Sequence, residues 1–281
     1  MRIYTLNAFC KERKGGNPAA VVLVADSLSP DEMQRIASKI GFSETAFVSK
    51  SDVANYRIRF FTPREEIDLC GHATIATFGL MHHLKIIKKG TYKQETNAGI
   101  LNVEVNDAYV SMQQNAPTFS DIIHPSEIAE SLRIPENIIY DKLPIQITST
   151  GLKDILIPIS TTGLLNSINP DFNKIATISE KYGVIGYHLF SLSHKNGAIA
   201  TCRNFAPNVG INEESATGSS SGALACYLEK YGIVESPCIM TFEQGVAMKQ
   251  ASTITVSLRK KEKQLEVMVG GGINNVEAID I

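Results

Sequence analysis

The chain contains no tryptophan, and aromatic residues of all kinds make up only 7% of its 281 positions. A surface that stacks successive nucleobases needs such side chains in number, so that mode of strand binding is not expected. A surplus of positive charge is missing as well: 27 Lys and Arg stand against 29 Asp and Glu, a formal net charge of -2. Phosphate backbones are held by a basic excess on one face, which excludes a nucleic-acid partner. No apolar run approaches the ~18 residues of a membrane-spanning helix, and the opening MRIYTLNAFCKERKGGNPAA has no apolar centre of the signal-peptide kind. The five cysteines, Cys10, Cys70, Cys202, Cys226 and Cys238, are odd in number and contain no Cys-x-x-Cys pair. Reduced thiols in the cytoplasm are therefore expected, and a disulfide framework or zinc site is not. The one adjacent histidine pair, His82-His83, is a poor chelate because helix neighbours point ~100° apart; it reads as a solvated helix end. No metal or cofactor is expected. Low-complexity stretches and charge runs are absent too.

What remains is an ordinary globular composition, 43% hydrophobic and 20% charged, in a chain long enough for two domains of roughly 140 residues. Those two domains read as copies. Residues 59–63 are RFFTP and residues 203–207 are RNFAP. Downstream lie Cys70-Gly71-His72-Ala73 and Thr217-Gly218-Ser219-Ser220, each glycine followed five residues later by alanine in a helical run. Upstream, Ser29-Pro30-Asp31 opens a helix running to Gly41, with Glu32 completing a capping box; Asn169-Pro170-Asp171 opens another running to Gly183. Strand-like runs follow both helices, Glu44–Val48 and Gly186–Phe190, and alternation marks further strands at 56–60 and 101–105. The helical runs Ala73–Leu84 and Ser220–Tyr231 are apolar on most sides, as a helix enclosed by a sheet would be. The expected class is α+β: two similar lobes from internal duplication, each a barrel-like sheet wrapped around a central helix. The lobes are placed at 1–118 and 119–281, joined near Pro117–Asp121, with the last strand free to return to the first lobe.

The shared feature of the copies is a glycine at the head of a buried helix. A helix head offers unpaired N–H groups and a partial positive charge, so the heads at Gly71 and Gly218 are candidate carboxylate sites facing a common cleft. Alternatively, both are plain helix entries. The differences between copies speak more directly about chemistry. Glu44 aligns with Gly186 and sits among Phe42, Ala46, Phe47 and Val48; burial there would raise its pKa and suit it as a general base, unless it is a surface acid at a strand edge. His72 aligns with Ser219, and a position at a helix head would lower the histidine's pKa. Cys70 aligns with Thr217. A two-thiol acid/base pair of the racemase kind is therefore missing, and Cys70 reads mainly as a packed small hydrophobe.

At these residues the sequence resembles the phenazine-biosynthesis PhzF-like isomerase family. The pieces that carry the resemblance are Gly16–Val22, Ser43–Val48, Phe61-Thr62-Pro63 with Asp68–Thr74, Phe205-Ala206-Pro207 with Ala216–Ser219, and Gly270–Gly272. The resemblance implies a diaminopimelate-epimerase-like fold, cofactor-free proton transfer and a homodimer. It implies Glu44 as the catalytic acid/base, and Gly71, His72, Glu214, Gly218 and Ser219 as residues that bind a small carboxylate metabolite. In the founding enzyme a glutamate moves a proton between carbons of dihydro-3-hydroxyanthranilate. The family commonly has Asp-Pro before the second Thr-Gly-Ser; here Glu214-Ser215 stands in that place, an acid one methylene longer, which puts the founding substrate in doubt. The expected function is an isomerase of that kind. The alternatives are an epimerase or racemase using Cys70, and a catalytically silent metabolite-binding protein.

Overall fold

The computed structural model describes residues 1–11, 14–193, 197–261 and 264–280. They divide into two units, one made of Met1–Gln113 with the residues from Gly270 onward, the other of Gln114–Val269. The first unit contains β1 (Arg2–Ala8), β2 (Asn17–Val22), α1 (Pro30–Ile40), β3 (Thr45–Ser49), β4 (Tyr56–Phe61), β5 (Glu66–Ile67), α2 (Gly71–His83), β6 (Gly90–Thr96), β7 (Gly99–Val105) and β8 (Val110–Gln113). The second contains β9 (Thr118–Ile122), α3 (Pro125–Leu132), β10 (Gln146–Ser149), β11 (Lys153–Pro158), α4 (Thr162–Ser167), α5 (Phe172–Tyr182) and β12 (Gly186–Leu192). It continues with β13 (Ala200–Ala206), β14 (Ile211–Glu214), α6 (Gly218–Lys230), β15 (Cys238–Gln244) and β16 (Ser252–Lys261). Strand β17 (Gln264–Gly271) spans the passage back, and β18 (Ile273–Asp280) belongs to the first unit.

The duplication is visible in the strand order. In the first unit the strands pair in the order β18, β1, β2, β3, β4, β6, β7, β8, with β2–β3 and β4–β6 parallel and the other neighbours antiparallel. In the second the order is β9, β10, β11, β12, β13, β15, β16, with β11–β12 and β13–β15 parallel. A short strand sits antiparallel against the same member of each series, β5 on β4 and β14 on β13. Side chains repeat as well. Arg59 holds Glu66 through two nitrogens at 2.7 and 2.6 Å, and Arg203 holds Glu213 at 2.8 and 2.8 Å. Each guanidinium also lies over a phenylalanine two residues on, Phe61 and Phe205. The fork of arginine suits both the bidentate carboxylate and the aromatic face.

The central helices are buried along most of their length. Ten of the 13 residues of α2 are buried, and the helix packs against β1, β2, β3, β7, β8 and β18. Ten of the 13 in α6 are buried, against β10, β11 and β16. The His82-His83 pair falls in the last turn of α2, where His83 is exposed. Outer helices are amphipathic instead, and their ends are set by local chemistry. Ser29 caps α1 with the full capping box to Glu32, and Gly41 ends it in the left-handed conformation. The expected counterpart start at Asn169-Pro170 is not used. The cap of α5 is Asp171, whose carboxylate accepts from the Lys174 N–H, so Pro170 lies outside the helix rather than at its first position. The five cysteines are free thiols.

Candidate active site

Glu44 is the last residue before β3, and its carbonyl accepts from the Ala20 N–H of the parallel neighbour β2. That pairing fixes the backbone beside the head of α2. His72 is the second residue of α2, and its Nε2 lies 3.0 Å from Glu44 Oε2, with side chains 7% and 13% exposed. The helix is capped in backbone only: Cys70 occupies the N-cap position without a side-chain bond to the helix. Its Sγ instead sits 3.4 Å from His72 Nδ1. Asn17, buried at the start of β2, brings its amide within 3.4 Å of the same nitrogen. Three elements thus converge on one imidazole.

The electrostatics differ from the sequence expectation. Burial does push the Glu44 carboxyl up, but the charge and hydrogen bond of His72, with smaller help from Ser43 and Cys70, outweigh it and the net direction is down. Burial works against a His72 cation; the neighbouring Cys70 and Glu44 overcome it and hold its pKa well above the ordinary value. The helix head was expected to lower it, yet a carboxylate at contact distance is a stronger influence than the partial charge of a helix terminus. Cys70 is itself pushed up, by burial first and then by Glu44, against the lowering effect of His72. Contact with one another favours the carboxylate form of Glu44 and the imidazolium form of His72, while burial disfavours ionisation of Cys70. The three donor atoms lie within 4.8 Å of one another, a set able to chelate a soft divalent cation.

The second unit presents a different set around the head of α6. Glu214, at the end of β14, accepts a 2.7 Å hydrogen bond from Thr217 Oγ1. Gln244 of β15 braces both, donating to the Glu214 carbonyl at 2.8 Å and to Thr217 Oγ1 at 3.0 Å, and accepting from the Thr217 N–H. Gly218 is buried and Ser219 half-buried, and the Ser219 carbonyl accepts from Thr150 Oγ1 at 3.1 Å. Gly186, the counterpart of Glu44, has no room for any side chain, since a Cβ would come 1.9 Å from the Phe205 carbonyl oxygen. The copies therefore cannot both carry the acid. Sequence reasoning did not single out Asn17 or Gln244; each bonds to its partner across a distance in the chain that no local pattern marks. A groove of about 760 Å³ in the second unit, lined by Ile122, Tyr140 and Leu143 among others, shares no residue with either set.

The family described as phenazine biosynthesis-like protein, PhzC-PhzF, matches this sequence over residues 6–277. The chain belongs to the PhzC-PhzF family. A Clostridium acetobutylicum protein named as an uncharacterized isomerase is 34% identical over 96% of this chain and 94% of its own length. Among solved structures, the Bacillus anthracis phenazine biosynthesis protein of the PhzF family superposes with a TM-score of 0.91 at 30% identity, covering 100% of this chain and 99% of that one. A hydroxyproline epimerase from Agrobacterium vitis shares the fold at 11% identity and a TM-score of 0.64, over 99% of this chain and 92% of its own. The PhzC-PhzF chain thus has the duplicated α+β fold of both isomerases and epimerases. Fold alone does not choose between those chemistries.

Proposed function

We propose that the protein is an isomerase that moves a proton between carbons of a small carboxylate substrate without a cofactor, with Glu44 as acid/base. The observation that carries this reading is the buried Glu44–His72 pair, 3.0 Å apart at the head of α2. A base must be ionised to accept a proton, and the pair keeps Glu44 so. When Glu44 takes the proton from carbon, the imidazolium loses its counter-charge. It is then available to the negative charge that develops on the substrate, as are the N–H groups at the head of α2. Return of the proton to a second carbon restores the ion pair, and no atom is gained or lost. Gly71 and His72, with Glu214, Gly218 and Ser219 of the second unit, are the proposed substrate contacts. The reaction resembles that of trans-2,3-dihydro-3-hydroxyanthranilate isomerase, and the relatives named as isomerases support the class.

A second reading, epimerisation through Cys70, draws on the contact of its Sγ with His72. Its thiol is pushed up rather than down, and the matching Thr217 hydroxyl is committed to Glu214, both of which count against it. The deciding experiment is incubation with a panel of small unsaturated hydroxy and amino acids in deuterated water. Deuterium should enter carbon with the wild type and with Cys70→Ala, and not with Glu44→Gln. Undiminished exchange by Glu44→Gln, or its loss in Cys70→Ala alone, would refute the assignment of Glu44.

A further inference from the structure

The interiors of the two copies differ at three positions that strand register makes equivalent and at a fourth on the central helix. Ala46 opposes Phe60 in the first unit as His188 opposes Asn204 in the second. Val21 pairs with Ala46 as Leu156 pairs with His188, which sets Ala19, two residues earlier on its strand, against Asp154. Ala73 and Ser220 are each the third residue of the central helix. All eight side chains are buried. One copy fills this place with Ala19, Ala46, Phe60 and Ala73; the other fills it with Asp154, His188, Asn204 and Ser220.

The four polar residues form a connected line. Ser220 Oγ donates to Asp154 Oδ2, Asn204 Nδ2 reaches Ser220 Oγ at 3.3 Å, and the same amide lies 3.3 Å from His188 Nδ1. The Gly186 N–H also donates to the Asp154 carboxylate. Burying polar groups in place of methyls and a phenyl ring disfavours folding unless every group is satisfied. Here Asp154 Oδ1 and His188 Nε2 have no partner among the described residues. The apolar copy shows that the architecture does not require the line. It passes, moreover, through Ser220 in the first turn of α6, directly after Gly218 and Ser219, and the charge of Glu214 acts on Asp154.

We propose that Asp154 is a positioning residue of the candidate site: through Ser220 it fixes the first turn of α6, and gain or loss of its proton is felt at Gly218 and Ser219. The substrate-binding part of this inference rests on the isomerase reading above; the effect of the proton on those two residues does not. Burial, with the charge of Glu214 adding to it, pushes Asp154 up to about 7, so it exchanges its proton in the neutral range. The ionisable groups on the elements packed against it do not compete. Strand β10 brings none; on β12, His188 is held neutral by burial at about 3 and Tyr187 bonds to Ser131. On α6, Cys226, Tyr227, Glu229 and Lys230 start six residues beyond Ser220.

The test follows the backbone amide resonances of Gly218 and Ser219 by NMR from pH 5 to pH 9, without any ligand. In the wild type both should shift with a midpoint near that of the Asp154 carboxyl; Asp154→Asn and Ser220→Ala should remove the shift while leaving the rest of the spectrum in place. In the deuterium-exchange assay Asp154→Asn should raise KM about tenfold with kcat nearly unchanged, and should flatten the pH dependence of KM. Amides that do not titrate in the wild type, or that titrate unchanged in Asp154→Asn, overturn the proposal. So does a KM within twofold of wild type. Absence of exchange with every substrate overturns the isomerase reading instead, while the amide titration still decides the effect of the Asp154 proton.

Discussion

Contact between Glu44 and His72 favours the charged form of each. With Glu44 held low and His72 held high, proton transfer from carbon should be fastest on a plateau between the two. On the acid side the rate should fall only below the ordinary glutamate value of ~4.3, and on the basic side only above the ordinary histidine value of ~6.5. A profile of kcat/KM against pH checks this; a basic limb centred on ~6.5 would show that Glu44 does not hold the His72 proton. His72→Asn should lower kcat by ~10²-fold and abolish the basic limb, since the counter-charge to the developing anion is gone. Asp154 acts on stability with the opposite sign to a paired carboxylate. Its folded value of about 7 exceeds the ordinary ~3.9, so folding takes up a proton. Its favourable contribution is complete below about pH 4 and is lost as pH rises through 7, a swing of order 4 kcal/mol. Urea unfolding at pH 5 and pH 8 should show about 2.6 kcal/mol of that swing in the wild type and none of it in Asp154→Asn. At this scale Glu44 and His72 could be named as candidates, because both stand in short motifs. Their pKa directions were not readable. They depend on a contact between two separate elements, and on an Asn17 that lies 55 positions from the histidine it touches.

Element boundaries follow from caps, and α1 and α5 form a controlled pair. A residue-Pro-Asp sequence stands at the start of both, and both end at a left-handed glycine. In α1 the serine before the proline is the cap; in α5 the aspartate after it is, because its carboxylate bonds the Lys174 N–H and also holds Arg133 at 2.9 Å. Asp171→Ala should therefore destabilise by ~1 kcal/mol, and Asn169→Ala by far less, in urea unfolding. Equal effects would restore the start at Asn169. The motif was legible and its register was not, since the choice between two adjacent caps was made by a partner on another element. The strand that opens with Gly186 carries the same lesson in reverse. Its alignment with Glu44 was readable, but the reason for glycine is a carbonyl from β13 where a Cβ would have to be. Gly186→Ala should force the β12–β13 pair apart and lower soluble yield sharply, whereas Gly183→Asn, at a left-handed helix end with nothing near its Cβ, should change stability by a few tenths of a kcal/mol.

Across the whole chain, the first unit is built from both ends of the sequence and the second from one continuous stretch. Strand β18 completes the first unit's sheet by pairing with β1 from Arg2↔Asp280 to Ala8↔Ile273, and Ile273 packs into the face of α2 at Gly79, where a Cβ would approach it to 2.6 Å. The sheet therefore cannot be finished until the last strand is available. One apolar cluster, containing Ile3, Phe47 and Phe61, belongs wholly to the first unit; another, containing Ile155, Tyr187, Leu189 and Phe205, belongs wholly to the second. Deleting residues 273–281 should then act unevenly. It strips β1 of a neighbour and exposes one side of α2, the helix that carries His72, while every member of the second cluster keeps its partners. Hydrogen exchange should show protection lost in β1, β2 and α2 and retained in β11, β12 and β13, because local opening follows which buried contacts remain. Uniform loss across both units would mean that they unfold as one cooperative body, and that the chain, although written twice, is folded once.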